Sequence, residues 1–174
     1  IRIFNHSTPE AIRAMRANLI DLAVVTTPMS LKKPLEKIPL SKCKEILICG
    51  PKYSYLTDIA KSLKDLTEIP LISLSEGTGT YDLYNKFYIA HSVPFTPDME
   101  VATTDQIIPM ITHNLGIGFY PEDLATELIE DKKVFPINIE EKLPIREVCL
   151  VINKSSAMST SVQKFYNFLR NSVS

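Results

Sequence analysis

The stretch Thr8-Pro9-Glu10-Ala11-Ile12-Arg13-Ala14-Met15-Arg16-Ala17-Asn18-Leu19-Ile20-Asp21-Leu22-Ala23-Val24-Val25 carries the reading of the fold. Thr8 is a helix N-cap residue type, and Pro9 suits the first helical position, where a missing N–H costs nothing. Ile12, Met15 and Leu19 fall at i, i+3 and i+7, one apolar stripe, and Arg13 and Arg16 lie off it. After Asp21 the run Leu22-Ala23-Val24-Val25 is apolar on both faces, as in a strand covered from both sides. Ile1 to Phe4 reads as a short strand before the helix. Strand, helix and strand together predict a parallel sheet with a right-handed crossover.

The alternation continues outward. Residues 29–42 read as irregular because of Pro34 and Pro39, and Glu45 to Cys49 is an apolar strand stopped by Gly50-Pro51. Leu56 to Leu66 reads as helical. Leu71 to Leu74 is a strand, followed by Ser75-Glu76-Gly77-Thr78-Gly79-Thr80 and a helix with Tyr81, Tyr84 and Tyr88 on one stripe. Met99 to Ala102 is a strand, and Thr103-Thr104-Asp105 caps a helix through Ile107, Ile108 and Ile111 that ends at Asn114-Leu115-Gly116. Gly118 to Pro121 is a strand, Glu122 to Ile129 a helix, and Val134 to Ile139 and Glu147 to Ile152 are strands. A last helix spans Ser159 to Asn171, with Val162, Phe165, Tyr166 and Leu169 as its buried face. The fold class is therefore α/β.

Composition excludes several classes of function. The 174 residues are 45% hydrophobic and 22% charged, enough to bury a core. Nineteen basic residues against 20 acidic ones leave a net charge of -1, so no field gathers nucleic acid phosphates. No apolar run reaches the ~18 residues of a membrane span. Cys43, Cys49 and Cys149 form neither a disulfide framework nor a zinc spacing, and Cys49 and Cys149 sit in strand-like runs as small buried hydrophobes. No metal and no cofactor is expected.

Several predicted strands end in hydroxyl residues. Ser7-Thr8, Ser75 to Thr80 and Thr103-Thr104 lead into helices, and Thr26-Thr27 ends a strand. In open sheets ligands bind outside the carboxyl ends of strands. Helix N-termini offer N–H groups to an anion, and Gly77 and Gly79 would allow close backbone approach. Ordinary N-capping explains each of these hydroxyls singly; their recurrence points to a shared polar cleft. Catalytic patterns are missing: there is no Gly-x-Ser-x-Gly, no phosphate-loop lysine motif and no Gly-x-Gly-x-x-Gly. Glu76 and Asp105 stand where a helix start stabilises an acid anyway. His113 suits a helix C-terminus, His91 reads as exposed, and His6 alone falls on a cleft loop.

The order of motifs resembles a known family. Ala17 to Val25 is similar to the "x-G-x-L/I-D-L/A-A-I/V" segment of LysR-type transcriptional regulators, and Asn114-Leu115-Gly116-Ile117-Gly118-Phe119-Tyr120-Pro121 to their "G-L/I-G-I-x-x-L/Y-P" segment. The strands Glu45 to Cys49 and Leu71 to Leu74 and the last helix fall at the family's spacing, so the resemblance spans the chain. It implies the effector-binding domain of a cytoplasmic bacterial regulator with a two-lobed, type 2 periplasmic-binding-protein-like fold, each lobe a mostly parallel sheet flanked by helices. Lobe I would be residues 1–46 plus 151–174 and lobe II residues 47–150. A small effector, often a carboxylate or other anion, would bind between the lobes. The implied ligand positions are Ser7, Thr8, Thr26, Thr27, Ser75, Gly77, Thr78, Thr103, Thr104 and Phe119. The implied partners are a second copy, with a tetramer as the alternative for the full protein, and DNA through an N-terminal winged helix-turn-helix outside this sequence.

The chain departs from the family pattern in places. The family's first strand-helix unit would stand before Ile1. Asn18 and Asn114 replace glycines, although both tolerate left-handed geometry. Leu19 takes a usually polar place, no Arg or Lys lies on the loops named above, and Pro109 predicts a kinked helix. The alternatives are a transporter's solute-binding protein of the same fold and a small two-lobed enzyme using Glu76 or a cysteine. If the polar-cleft reading holds, Thr78→Val or Thr104→Val weakens effector binding by about 1 kcal/mol or more with little change in fold, measured by calorimetric titration with the first ligand found. Unchanged binding in both would reduce these hydroxyls to caps.

Overall fold

Ser7 opens the first helix, α1 (Thr8–Arg16), one residue earlier than its sequence suggests. Its backbone N–H and its hydroxyl both donate to the Glu10 carboxylate, at 3.0 and 2.7 Å, and Pro9 lies in the first turn. Asn18 takes the left-handed conformation expected of it, at φ 53, where the chain leaves the helix. The computed structural model describes residues 1–171, arranged in two compact units. One comprises residues 1–43 and 146–174 and the other residues 44–145. The last three residues of that range lie outside the described part.

The first unit is built on β1 (Leu22–Thr26), β2 (Leu35–Cys43) and β8 (Arg146–Asn153), in the order β1-β8-β2. Both ladders are antiparallel: Val24 pairs with Leu150 and Ile38 with the same residue from the other side. The expectation of a mostly parallel lobe is therefore corrected here. Its premise was a strand at Ile1 to Phe4, and that segment is exposed and outside any ladder. The central strand instead comes from the far end of the chain. β8 is in register with β2 from Arg146 and with β1 from Val148, so residues 146–150 group with this unit, while residues 44–46 group with the other. Ala11, Ile12 and Met15 of α1 pack against Ala23, Val25, Leu35 and Val151, which explains the helical stripe. Leu19 falls outside it, three-quarters exposed.

β2 corrects a second expectation, that residues 29–42 are irregular. Prolines read as breakers, yet β2 is an edge strand, and Pro39 sits where its register with β8 shifts between Pro39 and Ser41. An edge or a bulge is where a strand tolerates proline.

The second unit holds a mixed sheet of five strands, β3 (Glu45–Cys49), β4 (Leu71–Leu74), β5 (Met99–Val101), β6 (Ile117–Pro121) and β7 (Phe135–Ile137), in the order β5-β4-β6-β3-β7. β4 runs parallel to β5 and β6, whereas β3 runs antiparallel to β6 and β7. Successive residues of a strand face opposite sides, so the continuous apolar runs are buried twice over. Leu47, Cys49, Leu71, Ile117 and Phe119 face α2 (Gly79–Ala90), where Tyr84, Phe87 and Tyr88 pack on them. Ile48, Ile72, Leu74 and Tyr120 face α3 (Ile107–Thr112) and α4 (Glu122–Glu130) through Ile107, Ile111 and Ala125.

Other local expectations shift for identifiable reasons. Leu56 to Leu66 forms two 3-10 turns, Pro51–Thr57 and Leu63–Leu66, with the second opened by a Ser62–Asp65 capping pair. Pro109 is the third residue of the short helix α3, where a missing N–H is harmless, so no long helix is left to kink. The last helix, α5 (Thr160–Asn171), has Val162, Phe165, Tyr166 and Leu169 half-buried rather than buried.

Gly116 has a steric reason to be glycine. Ile117 N–H donates to the Pro70 carbonyl at 2.8 Å, and a Cβ on Gly116 would stand 2.2 Å from that same oxygen. Backbone cannot yield as a flexible side chain can. Gly116→Ala is therefore expected to cost about 1–3 kcal/mol or more, measured as a lower urea midpoint at unchanged m-value.

Candidate functional site

The hydroxyl-bearing positions predicted from sequence fall into local groups. In the second unit, β4 and β5 are parallel neighbours, so the loops leaving them emerge side by side. Ser75 N–H and Ser75 Oγ both donate to the Val101 carbonyl, at 2.9 and 3.1 Å, which ties the Ser75–Thr78 turn to the strand leading into Thr103 and Thr104. Gly77 adopts φ 82, in the left-handed region that favours glycine. Thr78, buried, caps α2: its Oγ1 accepts from Tyr81 N–H at 3.1 Å and donates to the Ser75 carbonyl at 2.8 Å.

Three backbone donors near these loops already have side-chain acceptors. Glu76 N–H donates to the Glu100 carboxylate at 3.1 Å, and Ala102 N–H and Thr103 N–H donate to Gln106 Oε1 at 2.9 and 3.1 Å. At the start of α1 the Glu10 carboxylate fills the same role for Ser7. The hydroxyl and N–H of Ser7 in turn hold the Glu10 carboxyl below its ordinary pKa. Helix N-termini attract anions, and here the protein supplies its own.

Thr26 and Thr27 at the end of β1 are different. A side chain that sequence reading missed meets them there, Arg146 at the start of β8. Its Nε donates to the Thr27 carbonyl at 2.6 Å, and a terminal nitrogen donates to Thr26 Oγ1. Arg146 is 5% exposed. Glu147 N–H donates to Thr27 Oγ1 at 2.9 Å, and Thr27 N–H returns a bond of 2.9 Å to the Glu147 carbonyl. The Glu147 side chain pairs with Lys37 at 3.0 Å. Arg146 lies 119 positions from Thr27, a separation at which no local pattern signals contact.

Phe119 does not join these loops. Its ring lies in the core, stacked on Tyr84 with centroids 4.0 Å apart and edge-on to Phe87 and Tyr88. It faces α2 because β6 alternates, and Tyr120 takes the other side. Thr8 opens α1 and Thr104 opens a 3-10 turn, both half-buried. The three cysteines are buried, and burial pushes the Cys49 thiol up to about 11. Among the described residues no three His, Cys, Asp or Glu side chains group as metal ligands, and no helix is long and apolar enough to cross a membrane.

The family model for the LysR substrate binding domain matches residues 1–174. The chain belongs to that family. Solved structures similar to this LysR substrate-binding domain include the effector binding domain of QuiR in complex with shikimate, 17% identical with a TM-score of 0.82, covering 99% of this chain and 80% of that one. Others are the Synechocystis CcmR regulatory domain in complex with 2-PG, 16% identical at a TM-score of 0.79 over 99% and 81%, and the apo regulatory domain of HypT from Salmonella typhimurium, 16% identical at 0.79 over 98% and 80%. At such identities the likeness is one of fold. No curated protein matches the chain in sequence.

The hydrogen bonds of Thr78 change what its removal means. Thr78→Val takes away a helix cap and a turn bond together and should cost the fold about 1 kcal/mol. Thr104→Val should stay within about 0.5 kcal/mol. Urea denaturation of the two variants side by side measures the difference, and equal stabilities would contradict the capping role.

Proposed function

We propose that this LysR substrate-binding domain is the effector-sensing part of a transcriptional regulator and carries no catalysis. The family match over the whole chain supports this reading. So does its likeness to the effector binding domain of QuiR in complex with shikimate and to the CcmR regulatory domain in complex with 2-PG. The effector is a small anion or carboxylate. The positions proposed to meet it are the strand-end residues Ser7-Thr8 and Thr26-Thr27 of the first unit and Ser75 to Thr78 and Thr103-Thr104 of the second. Phe119 braces α2 from the core of the second unit.

Signalling in this reading is a population shift. A ligand favours one arrangement of the domain by its differential affinity for it, and one without such a difference moves nothing. The arrangement is passed to a second copy of the domain, and through a DNA-binding domain elsewhere in the regulator to the promoter.

A thermal-shift screen against shikimate, 2-PG, other small carboxylates, amino acids, sulfate and phosphate tests the proposal. A ligand present at about 100 times its dissociation constant adds about 2.7 kcal/mol of stability, a clear rise in Tm. A selective hit among the anions is expected. Selective stabilisation by cationic or apolar compounds alone would rule the proposed effector class out.

A further inference from the structure

Two hydroxyls buried in the second unit play no part in the strand-end loops. Ser73, the third residue of β4, is 5% exposed, and Tyr84, in the middle of α2, is 2% exposed. Neither Ser73 Oγ nor Tyr84 OH has a hydrogen-bond partner among the described residues. The sheet brings the two to one layer. Ser73 shares a strand face with Leu71, two residues before it, and that face meets α2. Ile72 pairs with Gly118 in the parallel ladder of β4 and β6, so the next residue of each strand, Ser73 and Phe119, are neighbours. Tyr84 stacks on that same Phe119. Both hydroxyls therefore belong to the layer between β4 and α2. A hydroxyl withdrawn from water loses its hydrogen bonds unless another group supplies them, so serine and tyrosine are costly choices there.

We propose that Ser73 Oγ and Tyr84 OH are the two protein contacts of a small neutral guest, one water molecule, built into the layer between β4 and α2 and bridging the strand to the helix. Each hydroxyl carries one hydrogen and has lone pairs, and water both donates and accepts, so it suits the pair whichever way each hydroxyl is turned. The surroundings favour a neutral guest. Leu71, Phe87 and Phe119 supply apolar surface, and a charge there would carry the cost of its lost hydration. The same burial raises the pKa of the Tyr88 phenol, whose charged form it disfavours. The nearby acids are engaged elsewhere: Glu100, the register partner of Ser73, accepts from Glu76 N–H, and Glu141, which acts on Tyr88, accepts from Leu63 N–H. The bridge decides where α2 sits. Thr78 fastens the start of that helix to the turn that leaves β4, and the guest fastens its middle to the strand itself. The guest belongs to the fold of the second unit and does not require that an effector bind.

Two measurements on the parent chain, Ser73→Ala, Tyr84→Phe and the double variant test the bridge. Magnetic relaxation dispersion of water oxygen-17 reads the number of water molecules held long enough to tumble with the protein. Its amplitude should fall by one water in Tyr84→Phe and in the double variant. In urea denaturation each single substitution should lower the folding equilibrium constant about fivefold. The double variant should lose less than the product of the two, because either substitution alone already takes away half of the guest's contacts. Hydroxyls without a guest give the reverse: Tyr84→Phe leaves the urea midpoint unchanged or raises it, and the two effects multiply. That result overturns the proposal. Stabilities that fail to multiply, with an unchanged dispersion amplitude, would mean that the hydroxyls reach each other directly, and overturn it as well. Tyr84→Phe keeps the ring on Phe119, so if the double variant fails to fold, its dispersion amplitude and urea midpoint decide alone.

Discussion

β8 is the strand on which the first unit depends. It lies between β1 and β2, and both bond to it and not to each other. Cys149, Leu150 and Val151 at its middle are wholly buried, so the strand is covered on both faces. Register follows from that burial. A slip by one residue would exchange the faces of every side chain along the strand, taking Val151 away from Met15 and Val25 and moving Arg146 away from Thr26. Core packing and the polar arrangement at the end of β1 are thus set by the same pairing.

The second unit places its loops by other means. Its sheet is filled on both sides, by the aromatic face of α2 on one and by the aliphatic faces of α3 and α4 on the other. The parallel pair β4 and β5 sets where two of these loops emerge, because parallel neighbours end on the same edge. Ser75 and Thr103 are brought together by that geometry, and the bonds from Ser75 to Val101 hold the two exits in step. Within each unit, then, a strand end, a hydroxyl and a long-range tether recur, while the chemistry of the tether differs: a carbonyl in one, a guanidinium in the other.

What the sequence made legible was mostly local. The stripe of α1, the strands β3, β4 and β8, the aromatic face of α2 and the left-handed asparagines all follow from period, apolar runs and residue type, and the motif order identified the family. Pairing was less legible. A run apolar on both faces says that a strand is covered twice, not whether its neighbour is parallel, so the first sheet was given the wrong sense. Pro39 concealed β2 because edge position, which makes proline acceptable, is a tertiary property. Phe119 followed a family motif to the cleft, yet strand alternation turns it into the core. Arg146 was invisible for the plainest reason: its partners are more than a hundred residues away.

The double crossing between units also orders events during synthesis. Residues 44–145 are contiguous, and all their strands pair among themselves, so this unit is complete in sequence before β8 has been made. β1 and β2 emerge first yet have no partner strand until residue 153 is available. Through that interval their apolar edges are open to wrong pairing. The polar residues along β2, with Glu36, Lys37, Ser41 and Lys42 interrupting its apolar ones, are the kind of sequence that keeps such a waiting edge from finding another chain.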